Sequence, residues 1–422
     1  MTPPCPHGAS GQVDEDASSM EALKTLHLLK RISPATTSSA AGPLTTLLEL
    51  WQRIISTSGS HGVLQRVLYW LRGNKVTLAA GVLFFLLEIV DIAIAPSMQR
   101  AKFPVRILLA VYSCACAQFT FIHRSHLFQE SLESLIFLTD IIERHGMPDS
   151  KVRLRRTAKQ LRQLLWFYFV YAMTLELVMT IAFVVIRQNF PEVVAETVLS
   201  SRETVINWDT TFETEEKTRL MSWLRWGVFP LQWCSALVNN CAMHTLVLFL
   251  LTVYTVSSDV WNGIGLAVQA GGCTPLWLGA QRSVTDTLLK LDRAVFDMMP
   301  HLLVVTIVLP LLSTVEVVAS GMRAELFSVG TAPLVFTLFM PLCLTGDTLM
   351  AARRGVSWRA YSGPWLEERP RQRLLRLGLM QATMGRGAMV RGRGIGNLDR
   401  RAFYRALKSW FSFLQVLINL LG

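Results

Sequence analysis

The run Ala402–Leu421 is apolar overall but carries Lys408 and Ser409 near its start, Ser412 and Gln415 in its middle and Asn419 near its end. Steps of three and four residues collect Ser412, Gln415 and Asn419 on one face of a helix. A hydroxyl and two amides in lipid must face protein or water, because hydrocarbon offers them no partner. Two arrangements satisfy that demand. One is hydrogen bonding between helices of a single bundle; the other is a wet stripe shared by several subunits. The residues alone leave both open.

Ionisable groups inside apolar runs are functional candidates by default. Glu176 and Glu316 lead, followed by Glu88, Asp91 and His244; buried hydrogen bonding or a water-facing position competes for each. His123 and His126, three apart at an expected helix end, lack the Cys or carboxylate support that a metal site needs, so no metal is expected. The chain has no phosphate loop, no metal-spaced His–Glu motif and no nucleophile elbow. It is read as a non-enzyme without cofactors.

The elements that must position these groups follow from composition. The 422 residues are 51% hydrophobic and 17% charged, with mean hydropathy +0.37, against roughly 25% charged in soluble proteins. Each bilayer-crossing helix needs about 20 mostly apolar residues. Seven runs qualify: Val76–Pro96, Pro104–Ile122, Leu164–Ile186, Phe229–Val256, Pro300–Ala319, Phe327–Leu349 and Ala402–Leu421. They are continuous rather than alternating, so the fold class is all-α, a polytopic membrane protein.

The chain is basic, 41 Lys+Arg against 30 Asp+Glu. Sorted by loop, 30 of those cations lie on the N-terminal side of the membrane and 9 on the other. The positive-inside rule makes the N-terminus cytoplasmic and, with seven spans, the C-terminus extracellular. No basic-then-apolar leader precedes the body, so no cleavable signal peptide is expected. The acidic loop between Arg187 and Arg225 then faces outward. That topology is opposite to a G-protein-coupled receptor; the loop has no cysteine and no Asn-Pro dipeptide occurs. A secondary transporter would show repeated halves with broken helices, which seven spans and one unpaired basic segment do not give. Most of the seven cysteines, Cys114, Cys116, Cys234, Cys241 and Cys343, fall in apolar runs and read as small hydrophobes.

After the sixth span come Gly346 and Asp347, a small-residue helix, Tyr361 and Trp365 four residues apart, a basic helix, and an aromatic final span. In this order, over about 75 residues, the pattern resembles the insect odorant receptors; upstream only span layout and a long second outer loop continue the likeness. A gustatory receptor would carry Thr-Tyr-aliphatic and a late Gln in its last helix, where this chain has Ser412, Phe413, Leu414 and Asn419. That alternative implies a homomeric ligand-gated channel.

The resemblance implies four units: a cytoplasmic segment 1–75, a six-helix odorant-binding bundle 76–349, a cytoplasmic anchor 350–401 and a pore-lining helix 402–422. The last helices of four subunits would surround a cation pathway, gated by dewetting at an apolar ring. Val416 and Leu420 match the gate, Ser412 and Asn419 the pore lining. The ligand pocket implied by the family lies in the outer half of spans two, three, four and six. Its candidates here are Tyr112, Ser113, Met173, Leu177, Thr180, Phe183, Trp233, Leu237, Thr331 and Phe336. Such aromatic and Met surfaces suit a volatile, mostly apolar odorant, with no group placed to neutralise a carboxylate.

The implied partners are an olfactory co-receptor subunit in a heterotetramer, the odorant, membrane lipid and permeating cations, in the plasma membrane of olfactory sensory neurons. The basic stretch Arg353–Arg401, with its GRG and RGRG tracts, lacks interleaved stacking aromatics, so nucleic acid is not an expected partner. Within that stretch Leu366–Met384 reads as the anchor helix, with Pro370 in its first turn. Pro310 is an expected kink in span five.

Overall fold

The computed structural model describes residues 42–56, 73–94, 98–188, 214–320, 326–384, 391–392 and 396–421. The elements are α1 (Pro43–Ile55), α2 (Lys75–Ile94), α3 (Met98–His123), α4 (Ser125–His145), α5 (Pro148–Gln188), α6 (Thr214–Gly271) and α7 (Pro275–Val295). They continue with α8 (Met299–Leu303), α9 (Leu309–Ser320), α10 (Leu326–Thr331), α11 (Met340–Tyr361), α12 (Pro370–Met384) and α13 (Arg400–Leu421). A two-residue hairpin, β1 (Arg391–Gly392) with β2 (Gly396–Asn397), precedes α13. The architecture is all-helical and that of a multi-pass membrane protein.

Among the described residues four stretches are long and apolar enough to cross a bilayer: Val105–His123, Cys241–Gly271, Met299–Val318 and Ser328–Tyr361. The remaining expected spans fall within α2, α5 and α13. At the entry to α2, Asn74 caps the helix. Its Oδ1 accepts N–H bonds from Val76 and Thr77 at 2.9 and 3.0 Å, and Thr77 Oγ1 returns one from the Asn74 N–H at 2.7 Å. Three backbone donors are thereby satisfied, the Asn74 and Thr77 pair reciprocally.

Helix α6 is the central post, packed by α2, α3, α4, α5, α7 and α11. From Leu246 to Val256 it is apolar nearly all round, which requires partners on every side. Trp51 of α1, Phe121 of α3 and Phe128 of α4 close on Phe249 with ring centroids 5.6, 6.4 and 5.1 Å away. The helix extends well beyond the expected span end at Val256. Ser258, Asp259 and Asn262 look like loop residues in sequence but are buried and partnered. Arg153 Nε donates to Asp259 Oδ1 at 2.7 Å and the Thr157 hydroxyl donates to Oδ2; Arg359 donates to the Asn262 side chain at 3.0 Å.

Spans five and six are not plain α-helices. Val304–Val308 and Val335–Phe339 are π-helical, each just before a proline, Pro310 and Pro341. The two π segments pack against each other. The kink expected at Pro310 is therefore a register change one turn earlier, where the ring has no N–H to give and the wider turn re-partners the carbonyls. The anchor helix also begins later than expected, at Pro370 rather than Leu366, because residues 365–368 form a turn.

A buried ion pair holds that turn. Arg376, fully buried, donates from Nε to Glu368 Oε2 at 2.8 Å, from one terminal nitrogen to the Ala360 carbonyl at 2.6 Å, and from the other to the Val268 carbonyl at 3.1 Å and to Glu368 Oε1. Glu368 Oε1 also accepts the Cys273 N–H at 3.0 Å. One side chain thus ties the ends of α6 and α11 to α12. The Arg376 hydrogen bonds hold the Glu368 carboxyl below the usual carboxylate range despite its burial.

Candidate functional site

Of the expected pocket residues, Tyr112 carries the clearest polar contact. It sits midway along α3, half-buried, with its hydroxyl 2.9 Å from His301 Nδ1 of α8; the imidazole tautomer sets which atom donates. The His301 ring meets the Tyr112 ring edge-on at 5.2 Å, and Phe85 of α2 lies 5.9 Å away on a tilted plane. Ser113 is buried next to it, but its hydroxyl is spent on the Leu109 carbonyl at 3.1 Å. A ligand oxygen would have to compete with a backbone acceptor there, whereas at Tyr112 it would compete with a side chain.

Thr331 closes α10, and its hydroxyl meets the Ser313 hydroxyl of α9 at 2.7 Å, both residues being buried. This clasp ties spans five and six together beyond their π segments. Phe336, inside the second π segment, is 46% exposed on the isolated chain. Met173 is half-buried on α5, and Leu177 one turn on is 58% exposed. The Leu177 and Phe336 side chains are therefore left uncovered by their own bundle. Thr180 and Phe183 lie on α5, and Trp233 and Leu237 on α6; their side chains lie outside the described residues, as do those of Glu88, Asp91 and Glu176. Glu316 is half-buried on α9. His123 ends α3 and His126 lies on α4 beyond the break at Arg124, so the two histidines belong to different helices.

The structure adds residues that sequence spacing did not single out for the pocket. Tyr168 and Tyr171, one turn apart on α5, donate to the Thr337 and Gly330 carbonyls, the second at 3.2 Å. The Thr337 carbonyl belongs to the π segment of span six, where Pro341 has no N–H to give it, so a phenol supplies a donor where α-helical pairing is lost; the Gly330 carbonyl lies near the end of α10. Buried His244 of α6 lies 6.3 and 6.0 Å from their rings. Arg106 of α3, 3% exposed, donates to the Ser328 hydroxyl.

Helix α13 packs on α9 and α11 through one face. Phe403, Ala406, Leu407, Trp410, Leu414 and Leu417 make up that face and are buried or half-buried. At 100° per residue, Ser412, Gln415, Val416 and Asn419 lie diametrically opposite, and all four are exposed. The Ser412 hydroxyl is bonded to the Lys408 carbonyl at 3.0 Å. Leu420 falls at the edge of that face, about 40° on from Val416 by register, with its side chain outside the described residues. The polar stripe thus faces away from its own bundle, which disfavours hydrogen bonding within a single chain.

No family model matches this chain, and no curated protein matches it significantly in sequence. Solved structures do. The structure of the insect olfactory receptor OR5 from Machilis hrabei in complex with eugenol aligns with TM-score 0.65 at 12% identity, covering 89% of this chain and 97% of that one. A second structure of the same receptor aligns with TM-score 0.65 at 11% identity, covering 94% of this chain and 99% of that one.

The fold is that of an insect olfactory receptor. The likeness runs through almost the full length of both chains.

Proposed function

We propose that this chain is an odorant receptor subunit: it binds volatile small molecules within its transmembrane bundle and opens a non-selective cation channel as a heterotetramer with an olfactory co-receptor. The observation that carries the reading is the whole-length fold likeness to an olfactory receptor, one of whose structures holds eugenol. The outward polar face of α13 supports it, since a bilayer leaves such a face no partner within one subunit. We infer seven spans, a cytoplasmic N-terminus and an extracellular C-terminus, in the plasma membrane of olfactory neurons. The chain works as a channel subunit and not as an enzyme.

Tyr112, with His301 beside it, is the polar anchor of the proposed pocket, and Ser113, Met173, Leu177, Thr180, Phe183, Trp233, Leu237, Thr331 and Phe336 are its remaining candidates. Ser412, Val416, Asn419 and Leu420 form the proposed pore face. Opening follows by population shift: an odorant with higher affinity for the open bundle biases it by that difference alone.

Whole-cell current from cells expressing this chain with and without an insect olfactory co-receptor, challenged with a broad panel of volatiles, tests the proposal. Evoked cation current only in paired cells is expected. Current from the chain alone would replace the heteromer by a homomeric channel, and a G-protein signal without current would overturn the channel reading.

A further inference from the structure

The start of α5 reads KVRLRRTAKQLR, Lys151–Arg162, a stretch dense in cations with no carboxylate. Helical register aligns Arg155, Lys159 and Arg162 with Trp166 and Phe169 on one face, and all five are exposed. The Trp166 and Phe169 rings stack at 5.9 Å with an interplanar angle of 26°. A separate face, Leu154, Ala158, Leu161 and Tyr168, centred about a quarter-turn round the helix, packs into the core. Arg153 is already committed to buried Asp259, and Lys151 and Arg155 share the field of Glu143 at the end of α4. Arg156, Lys159 and Arg162 form no ion pair among the described residues.

Height along the helix narrows the partner. Exposed Trp and Phe at the start of a span mark the level where hydrocarbon begins. At 1.5 Å per residue, Arg162 stands about 6 Å beyond Trp166 and Arg155 about 16 Å beyond it. The headgroup layer of one leaflet is only about 5–7 Å thick. Arg162 therefore meets the phosphodiester level, while Lys159 and Arg155 rise past it into the space reached only by phosphates carried on a headgroup that projects from the surface.

We propose that this face of α5 binds a polyphosphorylated inositol lipid of the inner leaflet. Its diester sits at Arg162, its outer phosphates at Lys159 and Arg155, and its glycerol and upper acyl chain lie against the Trp166–Phe169 stack. The proposal rests on the cytoplasmic placement of the α4–α5 segment inferred above. Occupancy fixes the height of the helix whose next turns carry Tyr168 and Tyr171.

The test is the thermal unfolding midpoint of the purified full-length chain in neutral detergent, titrated with short-chain phosphatidylinositol bisphosphate or with short-chain phosphatidylserine. The bisphosphate is expected to raise the midpoint by several degrees at concentrations where phosphatidylserine does not. Arg155→Gln/Lys159→Gln/Arg162→Gln should abolish the rise, Arg155→Lys/Arg162→Lys should retain it, and Arg369→Gln/Arg371→Gln, in the other basic stretch, should leave it intact. No rise, equal rises from both lipids, or an unchanged response in the triple variant overturns the proposal. Gln160→Cys, labelled with an impermeant maleimide in intact cells, separates the two readings. Labelling from outside removes the topology and this proposal with it; protection combined with no lipid response removes this proposal alone.

Discussion

At the scale of single residues, Tyr112 and His301 show how a polar group is kept ready for a ligand inside an apolar bundle. A buried phenol without a partner costs free energy, so the resting structure supplies one from α8. An odorant bearing an alcohol, ketone or ester oxygen exchanges one neutral hydrogen bond for another there, while a hydrocarbon gains only burial. Tyr112→Phe removes the exchange and keeps the ring packing against Phe85. The expected result is a half-maximal concentration shifted about 2- to 10-fold for oxygenated volatiles, the worth of one net hydrogen bond, with hydrocarbons of the same size unaffected. Dose–response curves for matched odorant pairs read this directly, and equal shifts for both members would place Tyr112 outside the pocket. The tyrosine was legible in sequence as a polar aromatic at mid-depth of an apolar run. His301 was not, because it arrives from a helix 189 residues away and nothing local marks it as a partner.

At the scale of elements, the order and type of the helices were readable because run length and charge bias are set by the bilayer, a solvent whose thickness the sequence must match. The register changes were not readable. A lone proline in an apolar run signals a kink, yet whether the preceding turn widens to π depends on which neighbours donate to its carbonyls, here Tyr168 to Thr337. The C-terminal end of α6 was missed because Ser258, Asp259 and Asn262 are polar; their burial depends on Arg153, Thr157 and Arg359, all distant in sequence. Two elements give sharp tests. In α13, Leu420→Ala widens the proposed apolar constriction and is expected to raise basal current, since dewetting weakens as the ring opens; unchanged basal and evoked currents with normal surface expression would remove the gate role. In the clasp between α11 and α12, Arg376→Ala leaves Glu368 buried without its cation, a loss of about 3–5 kcal/mol, visible as a lower unfolding midpoint. Because Glu368 has a folded-state pKa below its unfolded value, the pair's stabilisation is fully present above about pH 4.3 and fades as pH falls from there through the folded value. The Arg376→Ala variant should lose that part of the acid dependence, and an unchanged acid profile would assign it to other carboxylates.

At the scale of the whole molecule, the isolated chain carries an unfinished surface. One face of α13 is polar and uncovered, and Trp358, Tyr361, Leu374 and Leu377 of α11 and α12 are exposed large apolar groups. The first face asks for water, the second for protein, and neither is met by the lipid around a single bundle. A ring of subunits answers both, with α13 turned to a central aqueous axis and the α11–α12 surfaces packed against neighbours below it. The two faces should therefore fail differently. Trp358→Ala/Leu374→Ser is expected to shift the detergent-purified complex with the co-receptor from tetramer toward smaller species by light scattering, because it removes apolar contact area. Asn419→Ala should leave the assembly intact and alter the relative permeability of monovalent and divalent cations. If Asn419→Ala instead dissociates the complex, α13 holds subunits together directly and the aqueous axis must lie elsewhere. If Trp358→Ala/Leu374→Ser leaves a normal tetramer, the exposed apolar residues of α11 and α12 meet the membrane surface, and α13 alone carries the interface.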